Sequence, residues 1–527
     1  MDNKKKTLNI CAFAMAVVIC MIAAVVCCSN KQAMHEDEFY SYYSSNRTYG
    51  LIAEGTVSRD TVMDELTVRS GEGFNFSLVK EVQSWDVHPP VYYFILHFVS
   101  SMTQGVFSKW QGLIINLICL LVALLLMKKL GDMLMPDYPI AVDIASLAWG
   151  ISAATLTGVV FIRMYMLLTV WILAVTILHV SPHTRIVLND SDSDSAEMSG
   201  SDRRMRLWFW PVLGVLTFLG FMTHYYFFIW LFFLAAFWNI REIIITRRIR
   251  TTVIYGVTMI ITFGLCYLFY PAFPAQMFHG QRGAQATGNF FDLGNTWERI
   301  CFFAEKVNRI GFGRALWILL LSLISFWVIY KINGARKQHN TGNYGFCLPL
   351  LCVAGAYFLV VSKTALILGD SSIRYQMPVL GIAYLCIFAW LGSLLRKAKE
   401  GTALKRHGST ILCILAALLI ILNIYTDLTG NISFLYPERD ADGELLSEYI
   451  DSDAYYVYPS GQSWIIWADM TELLMFEEVT YIPEEQFDNY AGASGVYFID
   501  RGIDIPADSD LTFLFSGEYS DVYISTQ

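Results

Sequence analysis

Long apolar runs separated by short polar turns dominate this sequence. The first, Leu8 to Cys28, follows Lys4, Lys5 and Lys6, and further runs occupy approximately 111–127, 138–158, 160–180, 207–222, 225–240, 251–271, 312–330, 346–366, 374–395 and 409–428. Each approaches the roughly 20 residues that an α-helix needs to cross a bilayer, so the pattern predicts eleven spans. The first run exceeds a secretory h-region and lacks a small-residue cleavage site, so it is expected to stay as a helix. The two spans flanking His224 are short, and the stretch His88 to Gly105 is expected to lie as an interfacial or re-entrant helix.

Charge orients these elements. With the amino terminus inside, the basic stretches Lys128–Lys129, Arg185 to Arg206, Arg241 to Arg250, Lys331 to Lys337 and Arg396 to Arg406 all fall on the cytoplasmic side, as the positive-inside rule requires. The Ser/Asp-rich stretch Asn189 to Asp202 becomes a cytoplasmic linker. The first loop (about 29–110), the loop from about Pro271 to Gly311, the turn before Arg374 and the tail then lie outside.

Composition agrees with a membrane protein: 55% of the 527 residues are hydrophobic and 16% charged, which a soluble globular chain does not show. The net charge of −9 hides an asymmetry, because the tail from Gly430 holds twenty acidic residues against Arg439 and Arg501. That acidity argues against nucleic acid as a partner. Strand-like runs at Tyr455–Tyr458, Val479–Ile482, Gly495–Ile499 and Leu511–Phe515, with a helix near Thr471–Phe476, predict a small α/β fold for the tail. Ten of the eleven cysteines sit inside apolar segments without metal or redox spacing. The expected fold class is therefore an α-helical polytopic membrane protein, with residues 1–428 as the transmembrane module and 429–527 as an acidic extracytoplasmic α/β domain.

A few polar groups interrupt this framework. Glu36, Asp37 and Glu38 follow the first span directly, and their repulsion in a partly dry site would raise at least one pKa. A solvated acidic loop would look the same. His88 stands before Pro89 and Pro90, which fix an extended turn and start a helix bearing Tyr92 and Tyr93; an interfacial aromatic belt explains the tyrosines as well, but not the histidine. The clusters Arg163-Met164-Tyr165, Thr223-His224-Tyr225-Tyr226 and Arg374-Tyr375-Gln376-Met377-Pro378 each place polar groups where an unpaired charge costs roughly 2.5 kcal/mol or more. Singly each reads as a snorkelling anchor. In the deduced topology they share one side, putting carboxylates suited to acid/base work beside cations able to hold phosphate.

The Asp37-Glu38 pair, His88-Pro89-Pro90-Val91-Tyr92-Tyr93, Arg163-Met164-Tyr165, Thr223-His224-Tyr225-Tyr226 and Arg374-Tyr375-x-x-Pro378 resemble the polytopic GT-C glycosyltransferases, in the branch of protein O-mannosyltransferases and bacterial aminoarabinose transferases. The likeness spans residues 1 to about 395. It implies a polyprenyl-phosphate sugar donor, an unidentified glycan, lipid or protein acceptor outside the cytoplasm, and a first-loop acid as general base. Asp37 matches that acid and Glu38 its neighbour. Arg374, Tyr375, Arg163, Tyr165, His88, Tyr92, His224 and Tyr225 match donor- and phosphate-binding positions. The family differs over metal use, so a divalent ion near Glu36, Asp37, Glu38 and His88 stays open. The rival reading is a transporter or flippase of a lipid-linked saccharide. That would place charges at mid-membrane on repeated or broken helices, whereas this sequence gathers them at one surface and shows no repeat.

Overall fold

The structure is a computed structural model, and it describes residues 3–47, 55–181, 200–332, 343–397, 403–505 and 509–525. Most of the proposed linker at 189–202, and of the basic stretch that contains it, lies outside these residues. The chain is an α-helical polytopic membrane protein with an added sheet. Among the described residues seven helices are long and apolar enough to cross a membrane, nine if each of two bent pairs counts as one span. The remaining two predicted spans fall on Tyr165–Val180 and Trp208–Phe221, apolar but shorter helices. Helices dominate because hydrocarbon offers backbone groups no partner outside the segment itself.

The bends place polar residues at helix ends. Pro139–Gly150 and Ala153–Val160 meet at 56°. There Ser152 adopts an extended conformation and its Oγ caps the second half by accepting from Thr155 N–H. That second half ends at Phe161, so the next turn delivers Arg163 just ahead of the helix Tyr165–Val180. The His88 stretch forms the helix Val91–Met102, twelve residues and about 18 Å long, too short for a hydrocarbon core of about 30 Å. It packs instead on the helices Glu36–Asn46 and Lys109–Leu134.

The tail supplies five strands of a six-stranded sheet in the order β1-β3-β2-β4-β6-β5, made of β1 (Gly55–Ser58), β2 (Ala454–Tyr458), β3 (Glu478–Pro483), β4 (Gly495–Asp500), β5 (Thr512–Ser516) and β6 (Ser520–Ser525). Strands β3, β2 and β4 run parallel, and β2 is buried along its whole length, as a strand covered on both faces must be. Strand β6 is missed by the sequence pattern. Strand β1 comes from the first loop and pairs antiparallel with β3, so the sheet is shared between loop and tail. The contact continues beside it: Trp467 packs its ring against Phe39, Tyr40 and Tyr43, and Gln32 N–H donates to Leu435 O at 2.9 Å.

Candidate active site

A helix start organises the site. His35, in extended conformation, caps the helix Glu36–Asn46 through its Nδ1, which accepts from Asp37 N–H at 3.1 Å. Glu38 completes the capping box by accepting from His35 N–H at 2.7 Å. Successive helical residues are rotated by about 100°, so the three neighbouring acids diverge.

Glu38 turns into the protein. It is fully buried, forms an ion pair with Lys31 at 2.9 Å, and accepts from the backbone N–H of Ile162 at 2.7 Å. Its oxygens are thereby occupied with holding structure. Asp37 turns the other way, toward two arginines. Its Oδ1 lies 3.2 Å from Arg163 Nη2 and its Oδ2 lies 3.7 Å from Arg374 Nη2. Burial works to raise this carboxyl, but Arg163, His35, Arg374 and His88 around it outweigh burial and hold it well below the usual carboxylate range. Burial, then Asp37 and Glu518, push the Glu36 carboxyl up to about 8.

The two arginines differ in how they are held. Arg163 is saturated on one side: Nη1 donates to Asp37 O at 3.1 Å, Ser41 Oγ at 3.2 Å and the Tyr93 hydroxyl at 3.0 Å. Arg374, only 2% exposed, lies in the helical turn Gly369–Tyr375 with aromatic rings around it. Its guanidinium carbon is 5.0 Å from the Phe161 ring centroid, 5.1 Å from that of Tyr375 and 5.5 Å from that of Phe434. Nη2 donates to the Tyr375 hydroxyl at 3.2 Å, while Nε and Nη1 find no hydrogen-bond partner among the described residues. Unsatisfied buried donors on a cation are costly, and they suit an anionic ligand.

The remaining predicted residues are brought together to different degrees. His88 Nδ1 lies 3.4 Å from both Asp86 Oδ2 and Arg163 Nη2. Burial and then Arg163 lower the imidazole from its ordinary value, which favours the neutral ring. His224 is 6.0 Å from His88 and 5.5 Å from Tyr165, centroid to centroid, and Tyr165 meets Tyr375 edge-on at 5.7 Å. Tyr225 points away from this group. Its hydroxyl donates to Gln276 Oε1 at 2.5 Å, and Gln276 in turn donates to the carbonyls of Gln83 and Asp86, so Tyr225 braces the His88 loop from behind. The buried Tyr92 hydroxyl has no hydrogen-bond partner among the described residues; its neighbour Tyr93, one helical step on, is the tyrosine that meets Arg163.

Residues that the sequence reading passed over complete the site. Phe434, from the tail, stacks on Phe161 at 3.9 Å and meets His35 edge-on at 5.2 Å, while its carbonyl accepts from Lys31 Nζ at 2.7 Å. These contacts hold a bulky residue at φ +68°, a left-handed conformation that such side chains rarely adopt. Glu518, also from the tail, comes within 4.0 Å of His35 Nε2. No local pattern marks either residue. His35 did carry a signal, because its spacing to Glu38 is that of a capping box.

The metal question is one of side-chain direction. Glu38 is committed to Lys31 and Ile162 N–H, so the four candidates Glu36, Asp37, Glu38 and His88 do not all converge. Among the described residues no group of three or more His, Cys, Asp or Glu side chains is arranged to hold a metal ion.

No protein-family model and no curated protein matches this chain. Solved structures do show similarity. ArnT from Cupriavidus metallidurans bound to undecaprenyl phosphate is 11% identical, with 97% of each chain covered and a TM-score of 0.45. The archaeal oligosaccharyltransferase AglB from Archaeoglobus fulgidus, in complex with an inhibitory peptide and a dolichol-phosphate, is 11% identical over 94% of this chain and 70% of its own, with a TM-score of 0.47.

Proposed function

We propose that this chain is a membrane glycosyltransferase of the GT-C kind, transferring a sugar from a polyprenyl-phosphate donor to an acceptor hydroxyl outside the cytoplasm. One observation carries the reading: an ionised Asp37 stands between Arg163 and Arg374, and Arg374 keeps two buried donor nitrogens, Nε and Nη1, for a phosphate.

The chemistry follows from that arrangement. The bond from the anomeric carbon to the phosphate oxygen breaks, its electron pair stays on the phosphate, and the Arg374 guanidinium stabilises the charge that develops there. The acceptor oxygen attacks from the opposite face, and its proton passes to Asp37. A single displacement inverts the anomeric centre without a covalent enzyme intermediate. Glu38 takes no proton in this scheme; it holds Asp37 and the Arg163 turn in register. His88 and Tyr93 orient Arg163, and Tyr165, His224 and Tyr375 wall the donor side.

The test is to incubate the purified full chain with a series of polyprenyl-phosphate sugars and to measure release of the lipid phosphate. Release by the wild type but not by Asp37→Asn supports transfer. Binding without release with every donor would instead favour the transporter reading.

A further inference from the structure

The loop between the helices Arg250–Phe269 and Leu316–Ile332 is nailed to the end of another span. Lys363 lies in the last turn of the helix Cys347–Thr364, which is long and apolar enough to cross a membrane, and is only 7% exposed. Its Nζ donates to Asp292 O at 2.5 Å, to Thr296 Oγ1 at 2.9 Å and to Asn295 Oδ1. In the reverse direction Arg299 Nε donates to Ser362 O at 2.9 Å and Nη2 to Ala365 O. A buried ammonium at the end of a span is costly unless partnered. These bonds therefore fix residues 292–299 at the depth where that span leaves the hydrocarbon.

The direction of the loop agrees with that depth. The helical stretch Thr296–Gly311 meets Leu316–Ser325 at 93°, so with the second element upright in the bilayer the first runs along the membrane plane. At its start, and at the end of the preceding helix Gln281–Phe291, apolar side chains stand free of the protein: Phe291 is 74% exposed, Leu293 84% and Trp297 75%, with Phe290 exposed beside them. Leu359, one turn before Lys363 on the span, is exposed as well. Gln285 is also exposed, about 140° round its helix from Phe290. Asp292 and Glu298 are the exposed charges within this segment.

We propose that the segment 290–297 is seated in the lipid surface, with Phe290, Phe291, Leu293 and Trp297 at the boundary of headgroups and acyl chains. The partner is the leaflet itself, because the segment is fixed at the end of a span and its aromatic side chains are of the kind that interfaces favour. Asp292 and Glu298 keep it out of the hydrocarbon core, and they offer no attraction to anionic lipid. The proposal stands independently of the transfer reaction. It also gives the Arg374 turn a brace at headgroup level: Lys306 Nζ and Arg309 Nη2, farther along the same stretch, lie 2.8 and 2.5 Å from Asp370 Oδ1 in the turn Gly369–Tyr375.

The experiment reads depth directly, in the full chain reconstituted into phosphatidylcholine vesicles. The exposed cysteines Cys11, Cys301 and Cys352 are replaced by serine, and a nitroxide is placed in turn on Leu293→Cys, Trp297→Cys and Gln285→Cys. Power saturation then compares collision with oxygen, which partitions into lipid, and with a nickel chelate, which stays in water. The oxygen-to-nickel ratio should be about fivefold or more higher at positions 293 and 297 than at 285, as for a segment with one face in the acyl boundary. Because both side chains point out of the protein, either label alone decides if the other disturbs the fold. Equal ratios at the three positions would put the segment in water and overturn the proposal. So would labels at 293 and 297 shielded from both reagents, or spin–spin broadening there that disappears on dilution with unlabelled chain, since a second copy would then cover the surface.

Discussion

Glu38 accepts a hydrogen bond from the backbone N–H of Ile162 at 2.7 Å, joining the helix that carries Asp37 to the turn that carries Arg163 across 124 residues of sequence. The same side chain neutralises Lys31, so one buried carboxylate sets both the spacing and the charge balance beneath the site. Glu38→Gln should leave Lys31 buried without its counter-charge and lower stability by about 3 kcal/mol. Adding Lys31→Met should restore part of the loss. Thermal unfolding of the four proteins in detergent closes this cycle, and strictly additive losses would show that the pair is not coupled.

In the proposed mechanism Asp37 is the group on which turnover depends. Asp37→Asn keeps size and hydrogen-bonding reach but cannot accept the acceptor's proton, so kcat should fall by about a hundredfold or more while donor affinity changes little. Glu36→Gln should be much milder. Near-normal kcat in the asparagine variant would assign the base elsewhere.

Arg374 is predicted to act through donor binding. Removing its charge-assisted hydrogen bonds in Arg374→Ala should weaken binding of the polyprenyl-phosphate donor by about tenfold to a hundredfold. Arg374→Lys should recover part of this, because an ammonium cannot reproduce a planar fork between aromatic rings. Isothermal titration with the donor in nanodiscs measures both, and unchanged affinity in the alanine variant would reduce Arg374 to an anchor.

Glu36 predicts a pH dependence with a definite sign. Its carboxyl is raised from 4.5 to about 8 in the folded protein, by burial first and then by Asp37 and Glu518. Between those values the folded chain holds a proton that the unfolded chain has released, so this group's contribution lowers stability as pH rises through the window and is constant above it. Glu36→Gln removes the titration. The difference in melting temperature between wild type and variant should therefore change across the window, and a constant difference would show that Glu36 ionises normally.

Much of the site was legible because rare polar residues inside apolar sequence must find partners. Arg163, His88 and Arg374 stood out on that ground, and the structure gathers them around Asp37. What a linear reading cannot resolve is direction. Glu38 and Asp37 are neighbours, yet one helical step sends the first to Lys31 and the second to the arginines; the same step separates Tyr92 from Tyr93. Lys31, Phe434 and Glu518 were invisible for another reason: each works through a partner distant in sequence or in a turn without local signature. Strand β1 was hidden likewise, since a four-residue strand gains its meaning only from β3, more than 400 residues away.

That pairing bears on the order of biosynthesis. The first loop emerges early with Asp37, but its sheet partner at Glu478–Pro483 and its stacking partner Phe434 are made only after every predicted membrane segment has been threaded. Contacts of such sequence separation form late and slowly. The nascent chain therefore carries Asp37 on an unfinished scaffold until the tail has been made, and the surroundings of that acid close only when loop and tail meet.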